Sequence, residues 1–177
     1  MPPLTTTLVL GGARSGKSAY AEALVRADGR ARVYVATGAA SDDEMRARID
    51  AHREQRGPDW RTLEEPTAIA AAIGREAGER AVVLVDCLTL WLANLMFAER
   101  DIEAETRALA AALGAAAGPV VLVSNEVGLG LVPDTPLGRR FRDAQGRLNQ
   151  AVAAGVPRVV FVAAGLPLTL KPPAWSG

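Results

Sequence analysis

Short apolar segments alternate with longer amphipathic segments along the chain. Five segments carry aliphatic and β-branched residues on consecutive positions and predict strands: Leu4–Leu10, Ala31–Ala36, Ala81–Asp86, Val120–Ser124 and Arg158–Ala163. Strands that are apolar on consecutive positions are typical of a parallel sheet, because both faces of such a sheet are covered. Trp60–Glu64 is a candidate for a short extra strand.

The segments between these strands have helical periodicity. Six helices are predicted: Lys17–Ala27, Asp42–Gln55, Thr67–Ala77, Leu88–Ala98, Ile102–Leu113 and Leu137–Ala154. The alternation predicts one α/β domain over residues 1–177, with a doubly wound, mostly parallel sheet and helices on both faces. Ligands of such domains bind at the carboxyl ends of the strands, so functional residues are expected there.

Composition narrows the class of protein. The chain has 177 residues, of which 49% are hydrophobic and 23% charged, as in ordinary globular domains. Twenty basic and twenty acidic side chains cancel, so no overall field attracts nucleic acid or anionic lipid. The single cysteine, Cys87, excludes an internal disulfide and suits a reducing compartment. With no leader and no apolar run of spanning length, we expect a cytoplasmic protein.

A phosphate-binding loop follows the first predicted strand. Gly11–Ser18 reads GGARSGKS and matches the pattern G-x-x-x-x-G-K-S/T. Its glycines let successive backbone N–H groups point at one anion, and the following helix directs its positive end to the same place. Lys17 adds a charge near the terminal phosphates, and Ser18 offers a hydroxyl to Mg²⁺. The loop predicts binding of a nucleoside triphosphate.

Asp86 ends an apolar strand, where phosphate-loop proteins carry a second acid that organises Mg²⁺. The alternative is that its carboxylate caps the following helix. Both roles are compatible, and the metal role is favoured because the phosphate loop is present. Ser18 and Asp86 are therefore the predicted metal ligands.

His52 is the only histidine of the chain. Arg48, His52 and Arg56 are spaced four residues apart, so they share one face of a predicted helix. Neighbouring cations favour a neutral imidazole, which could attack an α-phosphorus as a nucleophile. From spacing alone, however, a solvated charged helix face is the favoured interpretation.

Two other segments have open roles. The glycine-containing loop that starts at Ser124 and ends at Pro133 could close over a substrate. The arginines after it, Arg139, Arg140 and Arg142, either reach phosphate or lie on a surface helix. Leu88–Phe97 is apolar almost all round, so it is expected in the core or between subunits.

Six motifs in order resemble one enzyme family. They are GGARSGKS at Gly11, ATG followed by DDEMRARIDAH from Ala36 to His52, VDCLTLWLANL around Asp86, SNEVGLGLVP at Ser124, FRDAQGRLNQ at Phe141 and AGLPLTLK at Ala164. Together they resemble the bifunctional adenosylcobinamide kinase/adenosylcobinamide-phosphate guanylyltransferase family of cobalamin biosynthesis. The resemblance extends from about Leu8 to Lys171.

The resemblance implies two activities. The enzyme would phosphorylate adenosylcobinamide with a nucleoside triphosphate, either GTP or ATP, using Mg²⁺. It would then transfer GMP from GTP onto adenosylcobinamide phosphate, giving adenosylcobinamide-GDP and pyrophosphate. The family forms a covalent GMP-histidine intermediate, whose histidine corresponds to His52. Lys17 and His52 are thus the expected catalytic residues.

The resemblance also implies a nucleotide-contact set. Its members are Gly11, Gly12, Ala13, Arg14, Ser15, Gly16, Lys17, Ser18, Ala36, Thr37, Gly38, Arg53, Glu54, Gln55, Arg56, Glu64 and Asp86. The family fold is a phosphate-loop α/β domain, and its assembly is a homo-oligomer, expected to be a trimer. Neither nucleic acid nor a membrane is an expected partner.

One local departure from the family concerns the turn after Arg56. The family places proline directly after this arginine, whereas here Gly57 and Pro58 follow it. The contacts of Glu64 and Glu65 therefore stay open at this stage. So does the kinase general base, for which Asp86 and Glu126 are candidates. A kinase without the transferase, or a nucleotide-driven switch, are the rival functions.

Overall fold

The computed structural model describes residues 3–38 and 57–172. Their elements, in chain order, are β1 Thr7–Gly11, α1 Lys17–Asp28, β2 Ala31–Ala36, β3 Trp60–Glu64, α2 Ile69–Glu76, β4 Ala81–Asp86, α3 Leu88–Phe97, α4 Ile102–Ala115, β5 Val120–Asn125, α5 Pro136–Gly155, β6 Arg158–Ala163 and β7 Leu166–Lys171. The predicted helix Asp42–Gln55 lies outside the described residues.

The described strands form one sheet in the order β3-β2-β4-β5-β1-β6-β7. All neighbours are parallel except β6 and β7, which form an antiparallel pair. The predicted α/β class, the mostly parallel sheet and the five main strands are confirmed, and the short extra strand at Trp60–Glu64 is confirmed as β3.

The β7 strand was missing from the predicted elements, and the structure corrects this. The segment Leu166–Lys171 contains Pro167, which cannot donate to a ladder and argues against a central strand. A proline is tolerated here because β7 is the last strand of the sheet and pairs on one side with β6. A β-bulge between Val159 and Val160 also interrupts the pairing.

Alternate residues of each central strand enter two apolar clusters. In β4, for example, Val83 and Val85 face the cluster that also contains α2, α3, α4 and α5. Val82 and Leu84 face the opposite cluster, to which α1 contributes Ala21 and Val25. This arrangement explains why the strands are apolar on consecutive positions, since both sheet faces are covered in the described part of the chain.

The apolar segment of α3 is a core element. Leu88, Trp91, Leu92 and Leu95 are at most 1% exposed, and Trp91 Nε1 donates to Thr67 O at 2.7 Å. Two other residues of α3 reach the surface, Leu90, which is 37% exposed, and Phe97, which is 80% exposed. Of the two predicted environments for Trp91, burial within the subunit is therefore confirmed.

None of the described helices combines the length and apolar character needed to cross a bilayer.

Candidate functional site

The phosphate loop joins the carboxyl end of β1 to the first residue of α1. Gly16 has φ of +92° and α1 begins at Lys17, so the helix N-terminus opens directly onto the loop. Arg14 also has a positive φ, +56°, which is uncommon for a residue with a side chain. Lys17 Nζ donates to Gly12 O at 3.1 Å, so the ammonium lies against the loop. This is the geometry expected of an anion-binding nest.

Close backbone packing explains two of the loop glycines. A Cβ on Gly11 would lie 2.6 Å from Val162 O of β6 and 2.4 Å from Ser15 Oγ. A Cβ on Gly16 would lie 3.1 Å from Gly165 Cα, in the turn between β6 and β7. Gly165 N also donates to Ser15 O at 2.8 Å. The loop is therefore pressed against the β6–β7 hairpin, with no space for side chains at these positions.

Ser15 contributes an unpaired polar atom to the same loop. Its Oγ is buried, and no hydrogen-bond partner for it lies within residues 3–38 and 57–172. A buried hydroxyl without a partner is costly, and it suits a site that a polar ligand completes.

The sheet register places three predicted residues in one row. Ala36 of β2 lies opposite Glu64 of β3 on one side and Asp86 of β4 on the other. Gly11 of β1 lies opposite Asn125 of β5, and β5 separates β1 from β4. Asp86 lies opposite Val123, which lies opposite Val9, so Asp86 and Gly11 are separated by two strand spacings across the sheet and by two residues along the strands. The sheet thus brings the predicted acid and the phosphate loop to the same edge.

Asp86 is partly buried and its carboxylate is oriented by a tyrosine. Tyr34 Oη donates to Asp86 Oδ2 at 3.1 Å. The N-cap residue of α3 is Cys87, and its side chain makes no capping bond. The carboxylate is thus held by a side chain from β2, and the capping alternative for Asp86 finds no support in the structure.

Thr37 and Cys87 clamp the ends of β2 and β4 together. Thr37 Oγ1 donates to Cys87 O and accepts from Cys87 N, both at 2.7 Å. Asn94 Nδ2 donates to Thr37 O at 2.8 Å and to Pro66 O at 3.0 Å. Within the described part of the chain, the Thr37 hydroxyl therefore serves the scaffold. Its role as a nucleotide contact stays a prediction, as does that of the half-buried Gly38.

The two adjacent glutamates after β3 have different roles in the structure. Glu65 Oε1 accepts from Thr67 N at 3.2 Å and from Ala68 N at 2.8 Å, at the start of α2. Glu64 is the last residue of β3 and is exposed at the carboxyl edge of the sheet. Glu65 is therefore used for the helix terminus, and the role of Glu64 as a nucleotide contact stays a prediction.

Burial keeps Cys87 protonated. Loss of hydration raises the pKa of the thiol, and the neighbouring Asp86 carboxylate raises this pKa further. A neutral, buried thiol is a poor nucleophile, so Cys87 is a structural residue of the site.

A buried polar network fixes the carboxyl end of β5. Ser124 Oγ donates to Asn149 Oδ1 at 2.7 Å, and Gln145 Nε2 donates to both of these side chains at 2.9 and 3.0 Å. Asn149 Nδ2 donates to Asn125 O at 3.1 Å, and Asn125 N donates to Thr89 Oγ1 at 2.9 Å. The strand end beside the phosphate loop is thus held by side chains from α3 and α5.

The loop between β5 and α5 leaves this fixed strand end directly beside the phosphate loop. Glu126 N donates to Gly11 O at 3.1 Å. Glu126 Oε1 accepts from Gly128 N at 2.7 Å, which turns the chain outward. Arg139 donates to Pro133 O and Asp134 O, both at 2.9 Å, and so fixes the other end of the loop. Arg139 lies on the exposed surface of α5, as one of its two predicted roles requires, and a phosphate contact by this arginine stays a prediction.

A separate groove of about 1060 Å³ runs beside α4 and α5, and no phosphate-loop residue lines it. Its lining combines apolar side chains with four arginines and four carboxylates: Arg100, Arg107, Arg140, Arg147, Glu99, Asp101, Glu103 and Asp143. Arg140 is therefore part of this surface of mixed charge. Arg142 Nε lies 3.4 Å from Oδ1 of its neighbour Asp143.

Five predicted site residues lie outside the described residues: His52, Arg53, Glu54, Gln55 and Arg56. Their roles stay predictions. Sequence reasoning also missed two residues, Tyr34 and Gln145. Both belong to elements with ordinary apolar or amphipathic patterns, and their partners are 52 and 21 positions away. No local signal could have revealed them.

Comparison with known proteins identifies the family. The profile described as cobinamide kinase/cobinamide phosphate guanyltransferase matches residues 7–170. The bifunctional adenosylcobalamin biosynthesis protein CobP of Pseudomonas aeruginosa is 51% identical over 166 residues, covering 93% of this chain and 96% of that protein. The bifunctional adenosylcobalamin biosynthesis protein CobU of Escherichia coli is 41% identical over 179 residues, covering 93% and 98%.

A solved structure shares the fold. The flagellar accessory protein FlaH from Methanocaldococcus jannaschii superposes with a TM-score of 0.55 at 11% sequence identity, over 96% of this chain and 79% of that one. At this identity the likeness concerns the fold alone. The matching profile and the two relatives show more: the chain belongs to the cobinamide kinase/cobinamide phosphate guanyltransferase family of enzymes.

Proposed function

We propose that this enzyme phosphorylates adenosylcobinamide with GTP or ATP and then transfers GMP from GTP to the adenosylcobinamide phosphate, producing adenosylcobinamide-GDP and pyrophosphate. The observation that carries the proposal is the phosphate loop at the carboxyl end of β1. Lys17 Nζ lies 3.1 Å from Gly12 O in this loop, and Asp86 lies at the same edge of the sheet. The relatives named as bifunctional adenosylcobalamin biosynthesis proteins support the substrate.

The phosphate loop performs the part common to both reactions. Backbone N–H groups of the loop and the N-terminus of α1 bind the β- and γ-phosphates, and Lys17 leaves Gly12 O to reach their oxygens. Ser15 Oγ, buried without a described partner, gains one from the nucleotide. These donors stabilise charge that develops on the transferring group, which is the main source of rate enhancement in phosphoryl transfer.

The donor set at this edge fits Mg²⁺. The Ser18 hydroxyl and the Asp86 carboxylate are hard oxygen ligands of the kind that Mg²⁺ prefers. The ion would neutralise charge on the terminal phosphates. Tyr34 holds the Asp86 carboxylate in one orientation at 3.1 Å, as partners of metal-binding carboxylates commonly do.

In the guanylyl transfer, His52 is the proposed nucleophile. A nitrogen of its imidazole attacks the α-phosphorus of GTP, a P–N bond forms, and pyrophosphate leaves. A phosphate oxygen of adenosylcobinamide phosphate then attacks the same phosphorus, and the P–N bond breaks. Arg53 or Arg56 is proposed to bind the α-phosphate and offset the charge on the transferring group.

In the kinase step, the acceptor hydroxyl attacks the γ-phosphorus and gives its proton to a base. Asp86 and Glu126 remain the two candidates. Asp86 Oδ2 accepts a hydrogen bond from Tyr34, and Glu126 Oε1 accepts one from Gly128 N. Each carboxylate is thus already oriented by a neighbour, and His52 is not needed in this step.

We further propose that the protein acts as a homotrimer in the cytoplasm, where nucleoside triphosphates are available. Family resemblance supports the trimer, and the single cysteine, Cys87, suits a reducing compartment. Sedimentation of the purified protein at several concentrations tests the assembly; a monomer at all concentrations would contradict it.

To test the function, the protein is incubated with Mg²⁺ and GTP that carries ³²P at its α-phosphate, and the radioactivity bound to the protein is measured. After denaturation, acid-labile and base-stable label should map to His52 in the wild type and be absent from His52→Ala, while His52→Ala keeps its kinase activity. Lys17→Ala is the contrasting variant and should damage both steps. Kinase activity without protein-bound label would reduce the function to a kinase, and nucleotide turnover indifferent to adenosylcobinamide would indicate a nucleotide-driven switch.

A further inference from the structure

We propose that the exposed apolar loop between β5 and α5, residues 127–133, is the surface on which the corrin ring of the acceptor lies during phosphorylation. This inference rests on the proposed function, because it assigns a place to the large substrate of that reaction. It goes beyond that function, because the nucleotide-binding residues do not indicate where the corrinoid lies.

The loop displays large apolar side chains to solvent. Leu129 is 82% exposed, Leu131 is 96% exposed and Val132 is 63% exposed. Three exposed apolar side chains within four positions are unusual, and clusters of exposed apolar side chains often mark binding sites. Here the exposed leucines are part of the SNEVGLGLVP segment beside the phosphate loop.

The exposure is a consequence of how the loop is held. At its first end, Glu126 N donates to Gly11 O at 3.1 Å, and Gly128 N donates to Glu126 Oε1 at 2.7 Å. At its other end, Arg139 donates to Pro133 O and Asp134 O at 2.9 Å. Between these anchors the backbone leads outward, so the leucines are presented at the surface by the fixed chain around them.

The position of the loop matches the reactive end of the nucleotide. The sheet order places β5 between β4, which ends at Asp86, and β1, which leads into the phosphate loop. Asp86 is the proposed partner of the terminal phosphates, so the γ-phosphate points toward the β4–β5 side. A hydroxyl that attacks the γ-phosphorus must approach from that side, where the loop 127–133 begins.

The chemistry of the ligand suits the surface. A corrin is a broad macrocycle with largely apolar faces and amide groups at its rim, and its reacting hydroxyl hangs from a flexible side chain. Such a ring needs a flat apolar contact close to the phosphate site but not within it. Leu129 and Leu131, a few residues from Glu126, provide that contact.

The chain offers a matched control on the other side of the phosphate loop. Leu166 and Leu168 of β7 are also exposed, at 72% and 60%. They follow Gly165, which contacts the loop at Ser15 O, on the side away from Asp86. If general surface apolarity were enough to bind the corrinoid, substitution of Leu168 would have the same effect as substitution of Leu131.

The test compares Leu129→Ser, Leu131→Ser and the double variant with Leu168→Ser. Since these side chains are exposed, the variants should fold normally, which circular dichroism checks. We expect each loop substitution to raise the KM for adenosylcobinamide about tenfold, as expected for losing most of one leucine contact. The KM for GTP and all parameters of Leu168→Ser should stay within twofold.

An unchanged acceptor KM in the double variant would overturn the inference. So would dissociation of the double variant into monomers in sedimentation, because the loop would then be a subunit contact. Equilibrium dialysis with adenosylcobinamide separates this inference from the proposed function. If the wild type binds the corrinoid without phosphorylating it and the double variant does not bind, the site stands and the function fails. If the wild type does not bind, both fail.

Discussion

The phosphate loop is held differently on its two sides. On the β6 side the contact is backbone against backbone: Gly165 N bonds to Ser15 O at 2.8 Å, and Val162 O lies 2.6 Å from a Cβ built on Gly11. On the β5 side, buried side chains hold the strand end, through Ser124, Asn149 and their partners.

The difference indicates which changes each side tolerates. Where two backbones are in contact, an added side-chain atom destabilises the fold, because neither backbone can move aside as a flexible side chain can. A polar side-chain network fails when a partner is removed, because the remaining groups are buried without hydrogen bonds. The β5 side connects the phosphate loop to the loop 127–133, because Glu126 N donates to Gly11 O.

The largest effect is expected from Gly11→Ala. The added methyl would lie 2.4 Å from Ser15 Oγ and 2.6 Å from Val162 O, so strand β6 or the loop must shift. Overpacking of this kind costs about 1–3 kcal/mol, and we expect the upper part of that range because one neighbour is backbone. Urea unfolding measures the change, and GTP binding should weaken in parallel.

Gly12→Ala is the matched control for this change. A Cβ at Gly12 meets nothing within 4 Å, so the free energy of unfolding should change by less than about 0.5 kcal/mol. Equal stability of the two variants would show that the β6 side yields to added atoms, and the proposed contrast between the two sides would be wrong.

A smaller effect is expected from Asn149→Ala on the β5 side. The change removes one partner each from Ser124 and Gln145 and leaves Asn125 O without the Asn149 donor. Leaving buried polar groups unpaired costs about 1–2 kcal/mol. Thermal or urea unfolding measures this cost, with the exposed neighbour Gln150→Ala as the control.

A double-variant cycle sharpens the same prediction. Gln145 and Asn149 share Ser124 as a partner, so the losses from Gln145→Ala and Asn149→Ala should not add. Additive losses would mean that the two side chains act independently, and the β5 side would not be held by a network.

The sequence predicted the parts of this molecule that depend on local patterns. Strands β4 and β5 were predicted because a strand that is buried on both faces is apolar on consecutive positions. The phosphate loop was predicted because its backbone needs a positive φ, which favours glycine. Asp86 was placed correctly at a strand end for the same reason. These features need only neighbouring residues to be recognised.

Contacts between distant segments were not predictable. The Tyr34–Asp86 bond joins residues 52 positions apart, and the clamp between Thr37 and Cys87 joins residues 50 apart. Their residue types are common in strands and turns, so nothing marks them before the sheet order is known. The β7 strand was missed because Pro167 argues locally against a strand, while pairing with β6 supports one.

The smallest effect concerns Cys87, which tests whether the clamp between β2 and β4, beyond the β5 side of the phosphate loop, is closed to solvent. Because burial raises the pKa of its thiol, the folded protein keeps the proton where the unfolded chain loses it, above about pH 8.5. The folded state then binds more protons, so the free energy of unfolding falls as pH rises past that value. Cys87→Ala should lack this part of the pH dependence. At pH 8, iodoacetamide should label the folded wild type far more slowly than the urea-unfolded chain. Equally fast labelling would show that solvent reaches the clamp between β2 and β4, and that this strand end is held less firmly than the β5 side of the phosphate loop.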